Sequence, residues 1–291
     1  MLGFALPQYG DSARIDLARF ASTAEELGAA SLWVGDRLFA PAHPTVGYAG
    51  RDDVPEQFRT ALDPFVALTV AATATRTATL GSSVLVAPWY PPVQLARQLT
   101  SIDVVADGRL LAGFGVGWSP EEYQAAGAPF TGRGAQLDEL LDALVALWTT
   151  DPAEHEGARW SIPPAHVRLT PVHQPHPPIY LGAQSAAALR RIGRRADGWL
   201  PVVLAPGRFD PSLLHRQRAV IDAAAVDAGR SPERIGTTVR INVTPRASID
   251  DVAALVRALD EAGYPDAFVD LLYVATDLDQ HLEWVRRLLG A

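Results

Sequence analysis

The stretch "IYLGAQSAAAL" at 179–189 runs from an apolar, strand-like segment through a small-residue turn into a serine and an alanine-rich helical pattern. A chain that turns this way presents free backbone N–H groups at a helix start. The macrodipole adds about half a positive charge there, so the turn can hold an anion such as a phosphate. The candidate groups are Gly182, Ala183 and Gln184 of the turn and the hydroxyl of Ser185. An ordinary serine cap with no ligand gives the same pattern. A second segment, "AGFGVGWS" at 112–119, spaces Gly113, Gly115 and Gly117 as GxGxG and follows them with Trp118. The dinucleotide fingerprint needs GxGxxG and a small residue for close helix packing, so that reading fails. Glycines at a strand exit let a flat ligand approach the backbone, with Trp118 as a wall, or they serve a tight exit and no ligand.

Asp36 in "LWVGDRL" ends an apolar strand and either points into the space beyond the strand ends or pairs at the surface with the adjacent Arg37. Ser82 and Ser83 interrupt a β-branched run that ends in Trp89 and Tyr90. Small polar residues inside a strand mark a bulge or a closely approaching ligand. His43 lies in a long loop from which it could act on a substrate, although a solvated loop histidine is the commoner case. His173 and His176 in "PVHQPHPP" have neither helical nor strand spacing and no carboxylate beside them, so no metal site is expected. No GxSxG elbow supports a hydrolase. The absence of cysteine removes disulfides, thiolate zinc sites, iron–sulfur clusters and a cysteine nucleophile, so redox chemistry needs a borrowed cofactor.

These residues depend on elements that alternate along the whole chain. Apolar, β-branched runs at 3–7, 31–35, 79–86, 110–115, 178–182, 198–203, 237–244 and 267–273 read as strands. Amphipathic segments near 12–27, 62–75, 92–106, 133–149, 185–195, 211–228, 249–262 and 278–289 read as helices, and Gly28, Gly229 and Gly263 sit where C-terminal caps belong. In 133–149, Leu137, Leu140, Leu141, Leu144 and Trp148 share one helical face. Strict alternation with right-handed crossovers predicts an α/β fold, a (β/α)8 TIM barrel formed by residues 1–291 as one domain. Insertions are expected after strand 2, at 36–61, and before strand 5, at 151–177; an open doubly wound sheet is the alternative. The first insertion and Asp36 then lie at the mouth, where barrel active sites are built, and the insertion reads as a lid. Barrel phosphate sites commonly follow strands seven and eight, so the fold rule lends no support to the turn at 182–185, which follows the fifth.

The composition, 48% hydrophobic and 20% charged over 291 residues, suits a large buried core. A net charge of −8 gives no basic footprint, so nucleic acid is not an expected partner. No apolar run reaches the roughly 18 residues of a membrane span, and the first residues lack a basic leader, so a cytoplasmic protein is expected.

In order and spacing, "LWVGDRL" (32–38), "LGSSVLVAPWYPPVQLARQLTSIDVVADGRLLAGFGVGWSPEEY" (80–123), "RGAQLDELLDALVALWT" (133–149) and "PPIYLGAQSAAALRRIGRRADGWLP" (177–201) resemble the bacterial luciferase-like monooxygenase superfamily. The likeness is closest to the branch of oxidoreductases that use the deazaflavin coenzyme F420. It covers most of residues 1–205, and the remaining third matches only in barrel rhythm. The resemblance implies a flavin-shaped cofactor at the strand C-termini, its phosphate held by Gly182, Ala183, Gln184 and Ser185. It implies a non-prolyl cis peptide at Ser83–Val84, within a strand-three bulge with Ser82 that backs the central ring. Asp36 then lies near the redox edge of the ring, and Gly117 and Trp118 flank its other side. Deazaflavin relatives often carry His after the strand-two Asp; Arg37 stands there in this chain and cannot titrate near neutral pH. Arg37 is therefore expected to bind an anionic or carbonyl group of the substrate. Tyr9, Trp89, Tyr90, Trp118 and Trp199 are candidates for the pocket wall. The expected activity is hydride transfer between F420 and a small organic substrate. Monooxygenation by reduced FMN and oxygen is the alternative, and a flavin-binding protein without turnover a third reading. The same resemblance implies a homodimer formed through barrel helices.

Overall fold

A computed structural model of the chain describes all residues except Arg51, Arg208 and Ala291. In chain order the elements are β1 (Leu2–Ala5), α1 (Leu17–Glu26), β2 (Ser31–Val34), α2 (Pro64–Ala74), β3 (Thr79–Ser82), β4 (Leu85–Val86), α3 (Pro92–Val105), β5 (Leu110–Gly115), α4 (Pro120–Ala125) and α5 (Arg133–Thr149). There follow β6 (Ala153–Glu156), β7 (Ser161–Ala165), β8 (Ile179–Leu181), α6 (Ala186–Arg195), β9 (Gly198–Trp199), β10 (Val202–Ala205), α7 (Pro211–Asp227), β11 (Gly236–Thr237), β12 (Val239–Val243), α8 (Ile249–Glu261), β13 (Ala267–Asp270) and α9 (Leu278–Leu289).

Every pairing in the large sheet is parallel. From β1 the sheet runs one way through β2, β3, β5, β8 and β9 to β11, and the other way through β13 and β12 to β10. Both ends of the sheet are made from segments 198–205 and 236–243, because β9 pairs with β11 and β10 with β12. The sheet is therefore curled, and it presents two faces that must both be buried. Inside the curl, Trp33 stacks on Phe268 with ring centroids 4.7 Å apart, beside Leu200. Outside it, the larger apolar core fills the space between strands and helices, with Phe4, Phe20, Leu32, Leu68, Leu80, Leu95 and Phe114 among its enclosed side chains.

Local chemistry sets the helix starts. Asp16, Asp63, Ser119, Ser185, Asp210, Ser248 and Asp277 each accept a first-turn N–H, satisfying donors that a helix leaves open. Gly28, Gly229 and Gly263 adopt positive φ just past α1, α7 and α8, as their positions predict. At the strand N-terminal ends, Glu25 accepts from the N–H groups of Arg76, Thr77 and Ala78, and Arg109 donates to carbonyls of Ala72, Thr75, Ala78 and Ala106. These contacts lock the far end of the sheet, so the loops at the other end rest on a fixed base.

All eight expected strands are present, but three are interrupted. The run 79–86 breaks after Ser82, whose hydroxyl takes over the ladder by accepting from the Gly113 N–H (2.9 Å) and donating to the Gly113 carbonyl (2.8 Å). The run 198–203 breaks at Pro201, which has no N–H to donate, and 237–244 breaks at Thr238. The helix expected from residue 12 starts at Leu17, where Asp16 caps it, behind a 3₁₀ turn at Gly10–Arg14. Two elements were not expected: the short α4, and the antiparallel hairpin β6–β7 inside 151–177. The hairpin strand "SIPPA" carries two prolines, which hide its alternation.

Candidate active site

Asp36 follows β2 at the C-terminal end of the sheet and is 7% exposed. Its Oδ2 accepts from the Val86 N–H at 2.9 Å and from the Tyr90 hydroxyl at 2.8 Å. Burial, opposed by those two donors, pushes the Asp36 carboxyl up to about 7, and the like charges of Glu122 and Asp63 add to the rise. Tyr90, expected as a pocket wall, thus binds the carboxylate, with its ring edge-on to Phe65.

The neighbouring Arg37 turns away from this carboxyl. Its guanidinium pairs with Glu122 at 2.6 Å, both side chains nearly enclosed at 7% and 1% exposure, and lies over the rings of Trp118 and Phe58. Glu122 Oε1 also accepts from the N–H groups of Leu38 and Phe39, and Glu121 accepts from the N–H of Thr45. The expectation that Arg37 binds substrate is therefore corrected, as is the simple Asp36–Arg37 surface pair. The charge is spent on a buried partner, and that partner holds the first turn of the 36–61 loop. His43 is exposed in the same loop, of which Arg51 lies outside the described residues.

At the centre of the curl, Tyr9, Gly35, Ser83, Arg240 and Asp270 line a cavity of about 10 Å³, room for about one water molecule. Arg240 donates to the Ser83 carbonyl at 2.7 Å and pairs with Asp270. The Ser83–Val84 peptide is cis, as the resemblance implies. The glycines of 112–119 pack closely on the strand-three segment. A Cβ on Gly113 would lie 1.7 Å from the Ser82 carbonyl oxygen, and one on Gly117, which has φ +58°, would lie 2.8 Å from Val86. Strand three thus fills the space that a side chain at Gly113 or Gly117 would need, and Trp118 packs on Arg37 and Tyr48. Ser82 is likewise committed to Gly113.

Two further spaces lie to one side, around the 182–185 turn. A cavity of about 570 Å³ is lined by Val116, Arg133, Gly182, Ser185, Ala188 and Arg191. A second, of about 550 Å³, is lined by Ala183, Gln184, Val202, Leu204, Phe209 and Leu213. The first lies between two helix starts. Ser185 caps α6 through the Ala188 N–H, whereas α5 begins at Gly132 with no side-chain cap. Arg191 bonds both the Gly134 carbonyl and Asp138 of α5, which ties the two starts together. Arg133 donates to the Gly117 carbonyl and lies over Phe130. Val84 is the link to the mouth, because a Cβ on Gly182 would lie 3.3 Å from its Cγ1.

Trp89 and Trp199 do not line these spaces. Trp89 packs edge-on to Tyr123 at 7% exposure, and Trp199 is fully enclosed in the core between sheet and helices. Tyr9 does reach the mouth. Among the described residues no cluster of three or more His, Asp or Glu could hold a metal ion, and no helix is long and apolar enough to cross a membrane. Sequence reasoning missed Glu122, Arg133, Arg240 and Asp270. For Glu122 a signal existed, since "SPEE" at 119–122 is the Ser-x-x-Glu pattern of a helix start.

A curled parallel sheet flanked by helices, a buried carboxyl at the C-terminal end of its second strand and a cavity between two helix starts define an α/β protein with its candidate site on the carboxyl side of the sheet. The family model for luciferase-like monooxygenases matches residues 4–285, and the chain belongs to that family, whose members are oxidoreductases and monooxygenases. An uncharacterized protein of Mycobacterium tuberculosis is 30% identical over 261 residues, covering 83% of this chain and 92% of its own. An F420-dependent secondary alcohol dehydrogenase, in complex with an F420–acetone adduct, has the same fold at a TM-score of 0.79 and 15% identity, covering 99% of this chain and 97% of its own. The oxygenating constituent of 3,6-diketocamphane monooxygenase from Pseudomonas putida, in complex with FMN, aligns at a TM-score of 0.74 and 17% identity, covering 99% and 95%.

Proposed function

We propose that the protein is an oxidoreductase that transfers a hydride between coenzyme F420 and a small organic substrate, on a single-domain (β/α)8 barrel with insertions at 36–61 and 151–177. The closed barrel is supported by the pairing of 198–205 with 236–243, which supplies both ends of the sheet. The observation that carries the function is the cavity of about 570 Å³ between the starts of α5 and α6. Two helix N-termini, one without a side-chain cap, favour a phosphate there, and Val84 joins that space to Asp36 through Val86. The residues present therefore fit a phosphate-bearing cofactor. Gly182 and Ser185, with Arg133, would hold its phosphate, with Ala183 and Gln184 on the far side of the same turn, and Ser83, Val84 and Gly117 would back its ring. When bound, the deazaflavin supplies the carbon that carries the hydride. Asp36, titrating near neutrality, holds or releases the proton that accompanies hydride transfer, and Tyr9 borders the same mouth. FMN also carries a terminal phosphate, so flavin-dependent monooxygenation is the second reading, and FMN-bound relatives share the fold.

Difference spectra of the purified chain titrated with F420 and, separately, with FMN test this. F420 is expected to bind, and Ala187→Asp is expected to weaken it at least about tenfold. The added carboxylate suits the start of α6 but repels a phosphate in the cavity that Ala187 lines. A response to FMN alone moves the chemistry to the second reading. No response to either, or equal affinity in the variant, removes the site.

A homodimer is part of the same proposal. Helix α2 carries no charged side chain, and its outer positions are Val66, Thr69, Val70 and Thr73, whose threonine hydroxyls bond back to the helix backbone. Val66 is 51% exposed and Val93 of α3 is 48% exposed. A helix whose outer side carries no charge and exposes valines is normally covered. Sedimentation should show a dimer that Thr69→Arg converts to monomer; a wild-type monomer at micromolar concentration would reject the pairing.

A further inference from the structure

We infer that Tyr90 is a positioning residue for proton transfer: by donating to Asp36 Oδ2 beside the Val86 amide, it leaves Oδ1 as the one oxygen through which Asp36 gains and loses its proton. The inference rests on the reading of Asp36 as the acid–base group. Oδ2 already accepts two hydrogen bonds, at 2.9 Å and 2.8 Å, so a proton placed on it would displace one donor. Oδ1 accepts from no described residue, so it is the oxygen left without a donor. In the neutral acid the proton sits on Oδ1. On transfer the O–H bond breaks, its electron pair stays on the carboxylate, and the two donors on Oδ2 stabilise that charge; on return Oδ1 takes up a proton and the charge is lost.

The groups facing Asp36 support this division of labour. Glu122 of α4 and Asp63 at the start of α2 bear like charge, and Arg37 is paired with Glu122. Tyr9, from the loop after β1, couples to Asp36 and to the Arg240–Asp270 pair across the mouth. Tyr90 itself cannot be the acid, because burial, the charge of Asp36 and the bond to it hold the phenol far above its ordinary range. Its ring is fixed against Phe65, so the hydroxyl is aimed before any ligand arrives.

Tyr90→Phe keeps that ring contact and removes one donor from the ionised form. In the cofactor-free full chain, with aspartate carboxyl carbons labelled, the NMR titration midpoint of Asp36, assigned by its loss in Asp36→Asn, is expected to rise by about 1 pH unit in Tyr90→Phe. The pH profile of kcat should move with it. Fluorotyrosine, a more acidic donor, should move the midpoint the other way, and it keeps the test open should Tyr90→Phe fold poorly. A midpoint unmoved by either change overturns the inference, because a merely structural tyrosine would leave it in place. The titration needs no cofactor, so a shifted midpoint without turnover by F420 or FMN would leave the geometry of Asp36 standing while the proposed activity fell.

Discussion

Replacing Glu122 by alanine is expected to cost about 3–5 kcal/mol of stability, among the largest effects of any single substitution outside the apolar core. The reason is the charge it leaves behind. Arg37 is 7% exposed, lies between the rings of Trp118 and Phe58, and has its ion pair only with Glu122 among the described residues. The same carboxylate accepts the N–H groups of Leu38 and Phe39, so its loss also frees the first turn after Asp36. Chemical denaturation should report the cost, and hydrogen exchange should report faster opening at Leu38 and Phe39. The double variant Arg37→Met/Glu122→Leu is expected to recover most of the stability, since no unpaired charge remains. A Glu122→Ala protein within 1 kcal/mol of the parent would show that the pair holds nothing together.

That pair also shows where sequence reading runs out. The strands were legible because a sheet buried on both faces demands near-continuous apolar runs, and the helices because their polar and apolar sides alternate with the helical period. Helix 133–149 lies within its expected bounds. Side-chain direction was harder to obtain. Neighbours on a strand face opposite ways, so at 198–200 the outward Trp199 joins the outer core while Leu200 fills the curl, and the pattern "GWLP" does not say which is which. Asp36 was legible from its place at a strand end. Its surroundings were not, since Leu38 and Glu122 are 84 positions apart and Ser83 and Arg240 are 157 apart. Such partners are set by the curl of the sheet, and no local spacing encodes them. The cis bond at Ser83–Val84 came from resemblance alone, for no feature of "GSSV" demands it.

Asp36→Asn should separate the roles of this residue, because activity and stability are expected to move in opposite directions. The amide oxygen can accept from Val86 and Tyr90 as Oδ2 does, so the geometry is kept while the titrating proton is lost. Loss of a positioned acid–base group typically lowers kcat by about 10²–10⁴-fold, with cofactor affinity little changed because the proposed phosphate cavity lies to one side. Stability follows from the raised carboxyl. The folded chain holds this proton up to about pH 7, whereas an ordinary aspartate releases it near 3.8, so between those values the folded state binds more protons than the unfolded. Stability from this group is therefore full below about pH 4 and falls as pH rises through 7. Asparagine carries no charge to bury, so above pH 7 the variant should be the more stable by an amount on the order of a few kcal/mol, with a flatter dependence between pH 4 and 7. Denaturant titrations at pH 5 and pH 8 measure the difference directly. Equal slopes in the two proteins would mean that Asp36 is ionised throughout that interval, and a carboxylate already free of its proton could not serve as the proposed acid.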